Sequence, residues 1–310
     1  MFIPPGFDQG SIVTSLGRMV YYTNRPEFWQ GGPGESGDRP NQPTLLFLHG
    51  FGGGSSAYEW SKVYPAFAPD YRILAPDLIG WGRSEHPERN YQIEDYLSTL
   101  TEFIQQTCPE PVVAIASSLT AAFTIRVAIA HPEFFKSLIL TTPSGLSDFG
   151  ENYSNSFFAQ LVKTPFLDQL LYRTGIATET GIRGFLQSRQ FANSDLIYPE
   201  IVQAYLQSAL EPNGEYAALS FVRGDLCFDL SRDIPQLTTP TAFIWGRQSQ
   251  FTGPELGKRL ASLNPSAIRE FIQLEMVGLT PQLEVPAVTI GLIRRLLLEL
   301  IERSPESART

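Results

Sequence analysis

Short apolar runs alternate with longer stretches of helical spacing over most of the chain. Residues 11–22 alternate apolar and polar positions around Leu16-Gly17-Arg18, which predicts a β-hairpin. Pro26, Gly31, Gly32, Pro33, Gly34, Gly37, Pro40 and Pro43 make residues 24–43 a loop. Thr44–His49 is a continuous apolar run, as expected of a strand covered on both faces. A helix over Ser55–Ala68, a strand over Tyr71–Asp77 and a helix over Tyr91–Gln106 follow. Val112–Ala116 reads as strand, Leu119–Ala130 as helix and Lys136–Thr142 as strand. Strands and helices in this rhythm predict a mostly parallel sheet with helices on both faces.

The rhythm breaks after Pro143. Residues 145–236 carry helical spacings, as in Phe157, Phe158, Leu161 and Val162, then Phe166, Leu167, Leu170 and Leu171. The β/α rhythm returns with a strand over Thr241–Trp245, a helix opening at Pro254-Glu255, a strand over Ala267–Leu274 and a helix over Val285–Glu302. The expectation is one α/β core, residues 1–144 and 237–310, with a helical insertion at 145–236. Ser304–Thr310 reads as a frayed tail.

Composition narrows the possibilities. The chain has 310 residues, 43% hydrophobic and 18% charged, with formal net charge −9. That supports a substantial core and argues against disorder. It also disfavours a nucleic-acid partner, because a phosphate backbone would be repelled. Cys108 and Cys227 are the only cysteines, with no Cys or His companion at metal-ligand spacing, so neither metal nor disulfide framework is expected. A reducing compartment, the cytoplasm, fits. The first residues show no basic and apolar leader pattern. Val112–Ala130 has one charge, Arg126, but changes periodicity halfway, so it reads as strand, turn and helix rather than a membrane span.

Five segments carry candidate chemistry, each at a strand end: His49-Gly50-Phe51-Gly52-Gly53-Gly54; Pro76-Asp77 running on to Gly82-Arg83-Ser84; Ala116-Ser117-Ser118-Leu119-Thr120; Trp245-Gly246-Arg247-Gln248-Ser249; and Gly278-Leu279-Thr280-Pro281 running on to Glu284 and Pro286. Glycines after a strand let backbone N–H groups approach a ligand oxygen. A dinucleotide-binding reading of the glycine cluster needs a third Gly where Ser55 stands. It also leaves the other segments unexplained.

In order and spacing these motifs resemble the α/β-hydrolase superfamily, in the branch with a helical cap between the sixth and seventh strands. The resemblance covers roughly residues 10–303. It implies that Ser118 stands at the nucleophile position of the elbow, flanked by Ala116 and Thr120 where Gly is usual. It implies an oxyanion hole made by the backbone N–H groups of Phe51 and Leu119. The usual acid position falls on Ser249, and no Asp occurs after Asp233. The usual base position falls on Leu279, and the three histidines are His49, His86 and His131. A Ser hydroxyl without an adjacent base is a weak nucleophile.

His49 and His131 read as structural. In the strand order that the resemblance implies, His86 lies on the carboxyl side of the sheet with Ser118, but its strand is two away, about 10 Å. Asp148 is a displaced-acid candidate. Glu284 suits the start of the last helix. The leading expectation is a catalytically impaired member that binds an apolar carbonyl- or ester-containing small molecule, or a protein partner, without a cofactor. The alternatives are a serine esterase or lipase-like hydrolase using Ser118 with a non-standard base, and a scaffold with a vestigial pocket.

Overall fold

The computed structural model describes residues 3–29, 42–150 and 172–302. Its strands are Phe7–Thr14 (β1), Gly17–Asn24 (β2), Thr44–Leu48 (β3), Arg72–Pro76 (β4), Val112–Ser117 (β5), Phe135–Thr141 (β6), Thr241–Gly246 (β7) and Ile268–Leu274 (β8). They form one sheet in the order β1-β2-β4-β3-β5-β6-β7-β8. The β1–β2 hairpin is antiparallel and joins β4 antiparallel; from β4 through β8 every pairing is parallel. The expected α/β class therefore holds.

The central strands are apolar throughout because both faces are covered. Leu46, Leu48, Ala114 and Ala116 face one core, with Phe51, Trp81, Tyr96 and Phe123. Leu45, Phe47, Val113 and Ile115 face the other, with Trp60, Tyr64, Phe67 and Leu296. This two-residue alternation follows from the strand pleat. The helix Ile93–Thr107 begins with a capping box in which Asp95 accepts from Gln92 N at 2.8 Å. Helices Ser118–Ala130, Pro254–Ser262 and Pro286–Glu302 complete the layers. The apolar stretch over 112–130 is strand then helix, and no described helix is long and apolar enough to cross a membrane.

Two expectations change. The helix expected over Ser55–Ala68 is two short 3-10 turns, Ala57–Trp60 and Tyr64–Phe67. Pro65 lacks an N–H and would clash with the preceding turn inside one continuous α-helix. The loop expected over 24–43 contains a helical turn at Pro26–Trp29, and its residues 30–41 lie outside the described residues.

The helical spacings read at 157–171, and the tail at 304–310, also lie outside the described residues. From 172 to 236 the described residues form helices Glu179–Phe185, Pro199–Ala209 and Gly214–Arg223 with shorter turns between. This segment leaves the sheet after β6 and returns at β7. Its two ends meet where Phe228 N donates to Gly145 O at 2.8 Å.

Candidate functional site

The site is built where β5 turns into the Ser118–Ala130 helix. All six β5 residues are buried, and Ser118 has φ 56, in the left-handed region. A non-glycine residue held there costs on the order of 1–3 kcal/mol, so the surrounding structure must impose it. Thr120 does not prevent the turn. It is buried with its Oγ1 unpartnered, while its carbonyl accepts from Thr124 Oγ1 at 2.8 Å. Leu119 lies in the first helical turn, where N–H groups have no intrahelical acceptor.

The glycine loop lies against this elbow. A Cβ on Gly50 would stand 3.4 Å from Ser118 Cβ, so Phe51, the next residue, borders the same space. The later glycines serve a different purpose from ligand approach. Gly54 has φ 94, and a Cβ there would lie 2.0 Å from Tyr205 O, so the inserted Pro199–Ala209 helix packs directly on the loop backbone.

No imidazole serves Ser118. His49 Nδ1 lies 2.7 Å from Gly50 O and its Nε2 accepts from Leu78 N at 3.0 Å, so it is neutral and spans two loops. Burial lowers its pKa to about 4. His86 Nε2 lies 3.1 Å from Gly82 O, and burial lowers its pKa. His131 stands at the far end of the Ser118–Ala130 helix beside Glu133. The Ser118 Oγ makes no hydrogen bond with the described residues.

The two remaining motif loops lie side by side. Gln248 N donates to Val277 O at 2.9 Å, and Ser249 N to Gly246 O at 3.2 Å. Ser249 is half-buried with its Oγ unpartnered. Leu279 is buried, and its N–H donates to Gln190 O at 2.7 Å. Gln282 Nε2 donates to Ser117 Oγ at 3.2 Å and ties this loop to the elbow. Glu284 holds the loop to the inserted segment: its oxygens accept from Gly278 N and Ala192 N, both at 2.8 Å. Burial pushes its pKa up to about 7 against those hydrogen bonds.

Asp148 is not at the elbow. It accepts from Ser144 Oγ at 2.6 Å and Leu230 N at 2.9 Å, which closes the junction of the inserted segment. Asp77 is equally structural. It accepts from Ala57 N at 2.7 Å and Arg83 N at 2.9 Å, bracing two loops.

Sequence reasoning missed a buried acid beside the elbow. Glu59 is fully buried in the Ala57–Trp60 turn. Its Oε2 accepts from Gly50 N at 2.9 Å, and its Oε1 from Tyr205 Oη at 3.0 Å. Tyr205 Oη also stands 3.1 Å from Gln190 Oε1. Desolvation raises the Glu59 pKa, opposed by the hydrogen bonds from Gly50 and Tyr205 and by the nearby polar groups of Ser55 and Gln282. The available signal was one acid set between Tyr58 and Trp60 just after a glycine loop.

A chain of apolar rings runs from Phe51 into the inserted segment. Phe51 touches Phe221 at 6.0 Å between centroids, Phe221 touches Phe251 at 6.4 Å, and Phe251 touches Phe185 at 6.2 Å. Among the described residues no group of three or more His, Cys, Asp and Glu side chains could hold a metal ion.

A family model described as alpha/beta hydrolase fold matches residues 43–278. The chain belongs to the α/β-hydrolase-fold family. The match begins just before β3 and ends at Gly278, beside Leu279. Among curated relatives, an uncharacterized protein of Mycobacterium tuberculosis is 28% identical over 105 residues, 34% of this chain and 30% of that protein. The chain thus spans less than a third of that relative. The uncharacterized hydrolase YugF of Bacillus subtilis is 24% identical over 233 residues, 74% of this chain and 81% of that protein. Among solved structures, a thermophilic esterase from Thermogutta terrifontis superposes with TM-score 0.71 at 18% identity, covering 94% of this chain and 99% of that one. Such a likeness carries the fold.

Proposed function

We propose that this protein binds a largely apolar small molecule bearing one carbonyl group, and hydrolyses it slowly at most. One observation carries the reading: a buried leucine, Leu279, fills the position where the family resemblance expects the base, and Ser118 Oγ has no hydrogen-bond partner among the described residues. Removing the His of a serine-protease triad costs on the order of 10⁶ in kcat. The backbone donors of Phe51 and Leu119 need no side chain, so a carbonyl oxygen can be held between them with Ser118 Oγ donating as well. The residues from 145 to 236 act, in this reading, as a cap that covers the bound molecule, with the Phe221–Phe251–Phe185 rings along its exit. Cys108 and Cys227 are free and half-buried, which suits a reducing compartment such as the cytoplasm.

A second reading, a serine hydrolase with a non-standard base, is favoured by the nearness of Glu59 to Ser118. Against it, both Glu59 oxygens already accept hydrogen bonds from Gly50 and Tyr205. The experiment is turnover of short p-nitrophenyl esters, with labelling by a fluorophosphonate probe. The expected result is a rate close to that of Ser118→Ala and no Ser118-dependent labelling. Ser118-dependent turnover above about 1 s⁻¹, within the ordinary enzyme range, rejects the binding reading in favour of the second.

A further inference from the structure

The binding reading leaves the buried carboxyl of Glu59 without a role, yet that group stands beside the amides the reading depends on. Glu59 Oε2 is 2.9 Å from Gly50 N, one residue before Phe51. The point where a Gly50 Cβ would stand is 3.4 Å from both Glu59 Oε2 and Ser118 Cβ, so acid and nucleophile position are at most twice that distance apart.

Among the described residues no cation faces the carboxyl. The glycine loop brings Ser55 and Gly50, the Pro199–Ala209 helix brings Tyr205, and the Pro281–Glu284 turn brings Gln282. The Tyr205 phenol is held far above its usual range by burial, so it stays neutral. His49 is neutral as described. Asp77 and Glu284, on neighbouring elements, are acids committed to other amides. On the same turn, Tyr58 Oη donates to Glu200, which pairs with Lys62 at 3.7 Å, so that cation is already matched. Arg189 is exposed and lies over the Phe251 ring at 5.8 Å.

We propose that Glu59 sorts ligands by charge: the pocket accepts a neutral carbonyl compound, such as an ester, amide or ketone, and accepts a carboxylate only while Glu59 carries a proton. This rests on the binding reading above. Two carboxyl groups sharing a site with no cation between them resist double ionisation. At about 7 Å and an effective dielectric of about 20, the repulsion corresponds to roughly fiftyfold in affinity. Desolvation of Glu59 keeps a proton available as pH falls. A ketone oxygen brings no charge and is indifferent to that proton.

Decanoate and 2-undecanone, alike in chain and different in charge, test this by calorimetric titration of the full chain between pH 6 and 9. The ketone should bind with one Kd throughout. Decanoate should weaken relative to the ketone by tenfold or more as pH rises. Repeating the titrations across that range in two buffers of different ionisation heat should show net proton uptake on binding decanoate, and none on binding the ketone, over the pH interval where decanoate weakens. Glu59→Gln should bring decanoate to within about twofold of the ketone at pH 9. If that variant does not fold, the proton count on the unaltered protein decides. Equal affinity of the two probes at pH 9, or no proton uptake with decanoate at any pH in the range, overturns the proposal and leaves the binding reading standing. Binding of neither probe at any pH overturns both.

Discussion

The two halves of the candidate site contrast in what they retain. On one side, the elbow and glycine loop keep the strained φ of Ser118 and the adjacent amides of Phe51 and Leu119. On the other, the loops after β7 and β8 keep their mutual backbone contacts but present Ser249 and Leu279. The first half works through backbone geometry, which many side chains tolerate. The second works through two side chains, an acid and a base, and a substitution at either removes the chemistry while the loop stays put. In the proposed reading, the fold remains intact while the side chains of the second half no longer support the reaction.

If the loops are in place and only side chains are missing, restoring them should restore chemistry. Ser249→Asp with Leu279→His should raise ester turnover at least about a hundredfold over the unaltered protein, while either change alone does much less, because such groups act as a unit. The rates of all four proteins on one p-nitrophenyl ester check this. A folded but inert double variant would mean that the second half has lost geometry as well as side chains.

Leu279 also has a packing role that a catalytic His would fill differently. It is 2% exposed, so Leu279→Ala should cost about 2–4 kcal/mol in chemical denaturation, from lost transfer and cavity terms. A cost below about 0.5 kcal/mol would show the position to be loosely packed.

Much of this contrast was legible in the sequence. Strand and helix rhythm gave the sheet, since apolar runs such as Thr44–Leu48 and Val112–Ser117 have one burial pattern available. The absence of His after His131 put Leu279 at the expected base position, and that assignment underlies the proposed function. The Ser55–Ala68 region was misread because its apolar residues pack without helical periodicity on either side of Pro65. Glu59 was invisible because its partners, Gly50 and Tyr205, are 9 and 146 residues away, and no local spacing encodes the second separation.

The Glu284 latch tests how firmly the second half is held to the inserted segment. Burial raises its pKa from the ordinary 4.5 to about 7, so the folded state binds more protons than the unfolded one between those values. Stability should therefore fall as pH rises from about 4.5 through about 7, then level off. Glu284→Gln should flatten that fall by about 2 kcal/mol, read from denaturation midpoints at pH 4.5 and 8. Asp77, raised to about 6, contributes a similar slope at lower pH and should remain in the variant. An unchanged profile would mean that Glu284 ionises freely.

The smallest expected effect bears on the first half, where strain is the retained feature. Ser118 sits at φ 56, a conformation costing an L-residue about 1–2 kcal/mol. Glycine adopts it without that cost but gives the unfolded chain extra freedom, worth about 0.5–1 kcal/mol the other way. Ser118→Gly should therefore be more stable than the unaltered protein by about 0.5 kcal/mol. Ser118→Ala is the necessary control. It loses the same hydroxyl and keeps the β-carbon, so it should fall below Ser118→Gly by a similar margin. Paired urea titrations resolve the order if the slopes agree. An alanine variant as stable as the glycine variant would show that the turn is relaxed, and the retained half of the site would then be a matter of chain path rather than of stored strain.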